Sequence, residues 1–345
     1  MNYSNSIFKY ATSELSQDAF ICWLCSFLLE ENKGVDPVLE TCAVEFVQSF
    51  LPDFCKEDTV SAIIRQKIIS FQIQNDKGEV KDKKGLIDVL LEINGKHVII
   101  EDKTFTSTHG NQINHYKIGL INKGIKEKDI ICVYYKTSDQ PYPEEGVDFD
   151  YTREKLLNIF EKYENKTDNA IFLGYLKRLQ VMEEDVNSYQ RIPIEEWYWE
   201  SYVGFYKEVC ERILKPEGKE YDWKNVNNPS GGFLGLWWGG IGKVEIEETI
   251  LSKDIVAIYP QFEQRKIAIK VEIRKGENKD EIRSDYLKLQ KYAATCLGES
   301  FKKLKYSYGT YMTLAYLDDY NYENYKEKME LIEKTILGIP EEFKK

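Results

Sequence analysis

Residues 85–103 read GLIDVLLEINGKHVIIEDK, two runs rich in Ile, Val and Leu (86–93 and 97–104) on either side of Asn94-Gly95. Asn-Gly between such runs is the strongest two-residue signal for a β-hairpin. With Asn94 and Gly95 as the loop, Ile93 faces Lys96 and every pair further out keeps the same sum, so Asp88 faces Glu101. Opposed residues hold their Cβ atoms roughly 4.5–5.5 Å apart on one side of the sheet, and like charges placed there destabilise the ladder. Lys103, two residues beyond Glu101, shares that face, whereas Asp102 turns to the other.

Strands this apolar suit burial on both faces, where charges need partners. A divalent cation between Asp88 and Glu101, with Lys103 alongside, would offset the repulsion. Carboxylate oxygens suit Mg²⁺, which keeps several waters and binds through one or two carboxylates plus substrate phosphate. The plain alternative is a solvated hairpin face with a cross-strand salt bridge.

The arrangement resembles the PD-(D/E)xK nuclease superfamily, in which an Asp at the end of one strand and a D/E-x-K on the next form the metal site. Asp88 and Glu101-Asp102-Lys103 are the matching residues here, and Ile87 stands where the motif's Pro would be. The resemblance implies an α/β restriction-endonuclease-like domain, a mixed central sheet flanked by helices. It also implies that the backbone carbonyl of Asp102 joins Asp88 and Glu101 as a ligand of Mg²⁺ or Mn²⁺, with Lys103 catalytic. In several branches a Glu near the start of the first helix reaches the metal, and Glu14 in SELSQDAF matches it; by itself Glu14 is an acid at the favourable end of a helix dipole. RecB-like members carry a Gln-x3-Tyr on the helix after the catalytic Lys, and Gln112 and Tyr116 match in type and place as substrate-binding or bracing residues. On their own they are an ordinary i, i+4 pair on one helix face.

The surrounding pattern agrees with that core in element order. Helices are expected at 13–29 and 37–50, a strand at 61–74, a polar loop at 75–84, the hairpin, a helix at 111–122 and a strand at 129–136. Helices at 152–163 and 167–187 then close a domain of residues 1–190. Arg65 and Gln66 fall inside the first strand, either bordering the site or, as the simpler reading, at exposed edge positions.

Past Pro193 the composition turns aromatic, and residues 191–345 are expected to form an α+β domain with an antiparallel sheet. Helices are placed from 197 to 214, 279 to 297 and 322 to 337, with strands near 244–250, 255–260, 266–274 and 305–317. GGFLGLWWGGIG, residues 231–242, lacks the spacing of a phosphate-cradling loop. Its Trp237 and Trp238 are read as core residues, with stacking on exposed bases as the alternative.

A chain of 345 residues has room for two ordinary domains. No apolar run reaches the 18 or so residues of a membrane span, and the start lacks a charged segment followed by an apolar one. A cytoplasmic location without membrane association is therefore expected. Seven scattered cysteines fit reduced thiols; Cys22-x2-Cys25 lies in an apolar helix without a second pair at ligand spacing, and His97, His109 and His115 have no metal spacing either. A net charge of −11 argues against adhesion to nucleic acid over the whole surface, although Lys77, Lys81, Lys83 and Lys84 gather near the hairpin. The expected function is a Mg²⁺-dependent nuclease acting on nucleic acid, DNA first, in phage defence, restriction or repair. The alternative is a silent or gated nuclease-like module that binds nucleic acid, a small ligand, a protein partner or a second copy of itself.

Overall fold

The Asn94-Gly95 turn forms with φ of +51° and +75° and joins β2 (Val80–Ile93) to β3 (Lys96–Lys103). Ile93 pairs with Lys96, and the ladder runs out to Val89 and Ile100 with the sum that the hairpin pattern requires. The computed structural model describes residues 5–74, 79–104, 111–228, 231–274 and 278–345, in two compact units, Met1–Glu184 and Asp185–Lys345.

In the first unit β1 (Val60–Gln74), β2, β3, β4 (Ile130–Lys136) and β5 (Phe149–Tyr151) form one sheet in that order. The first three strands are antiparallel, and β3, β4 and β5 are parallel, so the sheet is mixed. Helices α1 (Glu14–Ser26), α2 (Pro37–Gln48), α4 (Arg153–Phe160) and α5 (Ala170–Val186) cover one face. Helix α3 (Gln112–Asn122) covers the other. β3 is the centre of the sandwich: Val98 and Ile100 enter the larger core and Ile99 the smaller, all fully buried. Local chemistry sets the ends: Asp36 accepts from Val38 and Leu39 N–H at 3.1 and 3.0 Å, with Pro37 at the first helical position.

Three expectations need adjustment in this unit. The segment 80–84, read as loop, continues β2 and pairs with residues 70–74 of β1; a ribbon pairs its backbone groups without burying its side chains, so charge does not forbid it. The edge strand β5 has only three residues, too short for a period to show. Strand alternation also slips at Gln66 and Asp88. Ile64 and Ile69 on β1, and Ile87 and Leu90 on β2, all pack into the α3-side core although each pair is an odd number of residues apart. Gln66, at φ +56°, is the residue at the slip.

In the second unit all six strands are antiparallel, in the order β10-β11-β9-β8-β7-β6. They are β6 (Tyr221–Asn228), β7 (Gly231–Trp238), β8 (Ile255–Glu263), β9 (Ile267–Ile273), β10 (Lys302–Lys303) and β11 (Tyr311–Leu317). Helices α6 (Trp199–Val209), α8 (Lys279–Leu297) and α9 (Tyr325–Leu337) share a core with one face of the sheet. The strand expected at 244–250 is corrected: Lys243–Glu247 is a short helix, α7, started by Gly242, whose N–H is taken by the Glu245 carboxylate at 3.1 Å. Of its alternating apolar residues Ile246 is buried while Val244 and Ile250 are exposed, so no strand face is needed. Strand β6 was hidden in the polar run YDWKNVNN. Trp238 is core, donating its indole N–H to Glu333 at 2.6 Å; Trp237 lies on the opposite face under the Lys224 ammonium, 5.0 Å from its ring centroid.

Among the described residues no helix is long and apolar enough to cross a membrane. All seven cysteines are free thiols; Cys55 and Cys296 are exposed and Cys22 is half-buried.

Candidate metal and catalytic site

At the open end of the hairpin the strands stop exchanging backbone hydrogen bonds and side chains take over. The Asp88 carboxylate accepts the Asp102 N–H at 3.0 Å. Lys103 Nζ lies 2.5 Å from Glu101 Oε1 and 3.8 Å from Asp88 Oδ2, and donates to the Asp102 carbonyl at 3.0 Å. The two acids, the ammonium and the carbonyl thus stand together, and the slip at Gln66 and Asp88 leaves Asp88 between the two faces of the sheet. Glu14, the first residue of α1, accepts the Thr104 N–H at 3.2 Å, one residue past Lys103. Arg178, buried on α5, donates to the carbonyls of Ala11 and Thr12 at 3.0 and 2.9 Å and fixes the entry to that helix.

Burial dominates the electrostatics. Glu101 is fully buried, and desolvation, with the Asp88 charge behind it, pushes its carboxyl up to about 8 despite the nearby ammonium. Asp88 is raised too, by burial, against the pull of the Asp102 N–H and Lys103. Glu101 Oε2 has no hydrogen-bond donor, a position that a cation would satisfy. Among the described residues no three His, Cys, Asp or Glu side chains are gathered at metal-ligand separation. The donors that do converge are two carboxylates and a carbonyl, a hard-oxygen set that fits a Mg²⁺ otherwise held by water.

Gln112 and Tyr116 flank these acids from α3. Gln112 Nε2 donates to Tyr116 OH at 2.6 Å, and the ring is 3% exposed. It lies so close to β2 that a Cβ on Gly85 would sit 2.4 Å from Tyr116 Cε1. Burial, then the Glu101 charge, raises the Tyr116 phenol. The pair braces the hairpin on α3 in this structure.

Three residues were not anticipated, Gln17, Asp18 and Lys136. Gln17 and Asp18 lie one turn after Glu14 on α1, and both are buried. Gln17 donates its amide N–H to Asp102 Oδ1, and its carbonyl accepts Thr137 Oγ1 at 3.0 Å and Tyr175 OH at 3.1 Å. Asp18 is pushed up to about 6 by burial and by Asp88, and Asp102 is raised well above its ordinary range by burial and by Asp18. Asp18 Oδ1 and Asp102 Oδ2 are both buried without a hydrogen-bond partner among the described residues. Gln66 Nε2 donates to Asp18 at 3.1 Å and reaches Asp88 at 3.5 Å, and the Arg65 guanidinium is 3.9 Å from Asp18; both border the site rather than a plain edge. Lys136 is the parallel-strand partner of Lys103, and burial lowers its ammonium to about 8. The readable signals were Glu14, Gln17 and Asp18 at helical spacing, i, i+3, i+4, and a Lys closing an apolar strand. Lys77 and His109 lie outside the described residues.

These shifts predict a pH dependence. Glu101 and Asp18 hold protons in the folded chain at pH values where the unfolded chain has lost them, so stability falls as pH rises from about 4.5 to 8. In EDTA the melting temperature is expected to drop between pH 5.5 and 8. Added Mg²⁺ should raise it more at pH 8 than at pH 6, because the cation competes with the Glu101 proton. Calorimetry that finds a flat or rising profile in EDTA contradicts this assignment of buried acids.

A family model described as the PD-(D/E)XK nuclease superfamily matches residues 7–197. No curated protein and no solved structure gives a match.

Proposed function

The chain belongs to the PD-(D/E)XK nuclease superfamily, and from that premise we propose that it hydrolyses phosphodiester bonds of nucleic acid, DNA first, with Mg²⁺ or Mn²⁺ held at the end of the hairpin. What carries the reading is the meeting of Asp88, Glu101, Lys103 and the Asp102 carbonyl at one place, with a buried oxygen of Glu101 left without a donor.

Asp88, Glu101 and the Asp102 carbonyl would hold the cation, which when bound polarises the scissile phosphate and acidifies a water. Lys103, which contacts the same carbonyl and the Glu101 carboxyl, would orient the attacking water and offset charge growing on the phosphoryl oxygens. Glu101 gives up its proton for this arrangement, since only the carboxylate is a ligand. Glu14 ties α1 to the chain beyond Lys103 and would assist through a water or a second cation. Tyr116, 3% exposed, would brace the α3 side, and the half-buried Gln112 would meet the substrate backbone there. Restriction, repair or defence against phage is the setting implied by the resemblance.

A gated or silent module is the second reading, and the burial of Glu101 and Lys103, 0% and 7% exposed, favours it. Purified protein incubated with supercoiled, linear and single-stranded DNA and with RNA, in Mg²⁺, Mn²⁺ or EDTA, separates the two. Cleavage that needs the cation supports the nuclease; no cleavage of any substrate supports the gated reading.

A further inference from the structure

The second unit holds a cavity of about 540 Å³ between the start of α6, the end of β6 and the β8–β9 turn. That volume is ordinary for a small-molecule site. Its walls are rings: Tyr198 and Trp199 are 41% and 40% exposed, Phe233 is half-buried, and Trp197 and Tyr202 form a buried floor. Arg265 and Lys266 supply two cations.

The parts are held before any ligand arrives. The turn residue Gln264 has φ +53°, its N–H is taken by the buried Tyr206 hydroxyl at 3.0 Å, and its carbonyl accepts from Tyr320. Arg265 donates to the Glu195 carbonyl, which fixes the guanidinium beside the rings. Trp197 donates its indole N–H to the Ile192 carbonyl at 3.0 Å. The acid in the wall, Glu263, is engaged by Lys270 at 2.8 Å, and among the described residues neither Arg265 nor Lys266 has a carboxylate within ion-pair reach. The cavity therefore offers ring faces and two cations without a carboxylate partner, Lys266 resting 4.8 Å from the Tyr316 ring centroid, although the chain carries a net charge of −11.

We propose that this cavity binds a nucleotide, its base stacked against Trp199, Tyr198 or Phe233 and its phosphate on Arg265 and Lys266. Rings take a flat π-system of any base, and the two cations take an anion joined to it. An aliphatic or cationic ligand would use only half of the site. Phe233 shares its sheet face with Trp237, since Leu234, Leu236 and Trp238 point into the core, so a strand bound at the cavity has a second ring four residues along β7. The nucleotide has two sources, a free nucleotide or one unit of a single-stranded nucleic acid. The choice of nucleic-acid chemistry leans on the nuclease reading; the shape and charge of the cavity do not.

The test is binding to the full chain in EDTA, where no cation-dependent cleavage can occur. Tryptophan fluorescence and anisotropy would follow titration with a labelled twelve-residue oligothymidylate and, separately, with thymidine and adenosine monophosphates. Saturable binding is expected, weakened about tenfold or more by Trp199→Ala and by Lys266→Ala, and reduced by salt. Oligonucleotide binding alone marks the cavity as a substrate-strand subsite, and mononucleotide binding marks it as a free-nucleotide site; both uphold the proposal. Absence of saturable binding, or binding equal in wild type and both cavity variants, overturns it, whatever the cleavage assay gives. Loss of the nuclease reading would show separately, as intact binding without cleavage in Mg²⁺ or Mn²⁺.

Discussion

Lys103→Ala is expected to lower cleavage by about a hundredfold or more, the scale seen when one preorganised charge-stabilising donor is removed from an active site. The side chain reaches Glu101, Asp88 and the Asp102 carbonyl together, so no neighbouring group replaces it. Lys136, on the adjacent strand, is set among Glu14, Asp102 and Asp139 rather than over the Asp88–Glu101 pair. The variant should still fold, because Glu101, already raised to about 8, keeps its proton when the ammonium is gone and leaves no bare buried charge. Glu101→Gln is expected to lose both cleavage and cation binding, whereas Lys103→Ala loses cleavage and retains cation binding. Single-turnover rates beside Mn²⁺ titrations check this; a Lys103→Ala enzyme within a few-fold of wild type would remove Lys103 from the reaction.

Gln17→Leu is expected to cause a large loss of stability. The amide is fully buried and serves three partners, Asp102, Thr137 and Tyr175, from α1 to the sheet and to α5. Leucine of similar volume leaves those groups buried with donors or acceptors unmet, which costs about 2–5 kcal/mol in all. For a unit of this size that lowers the melting temperature by roughly 5–15 °C. Cleavage should fall as well, since Asp102 sits between Glu101 and Lys103 and takes its orientation from Gln17. Calorimetry of the full chain is the check, and a melting temperature within about 2 °C of wild type would mean that the network contributes little.

How far the sequence could be read follows from what each residue depends on. Asn94-Gly95 dictates its own turn, and the turn dictates the register of everything out to Val89 and Ile100, so the meeting of Asp88, Glu101 and Lys103 was visible in nineteen residues of local pattern. Helix α8 has a period and a cap, and its limits were legible to the residue. Gln17 and Asp18 were not, because their partners lie 85 and 48 positions away along the chain. The departure at Gln66 was hidden for another reason: a positive φ in a non-glycine residue is imposed by packing, and an alternating pattern cannot announce the place where alternation slips. Strand β6 shows little apolar pattern since its outer face meets solvent, and α7 looked like a strand because Val244 and Ile246 alternate while a glycine cap decides the matter. Trp237 and Trp238, adjacent in sequence, divide between the two faces of β7, which only the strand's position in the sheet could assign.

A crystal of the full chain soaked in Mn²⁺ and measured at the manganese absorption edge tests the central claim most directly. The account predicts an anomalous peak coordinated by the carboxylates of Asp88 and Glu101 and the carbonyl of Asp102, with Lys103 Nζ moved off that carbonyl. A peak elsewhere, or none beside those oxygens at saturating Mn²⁺ and pH 8, would contradict it.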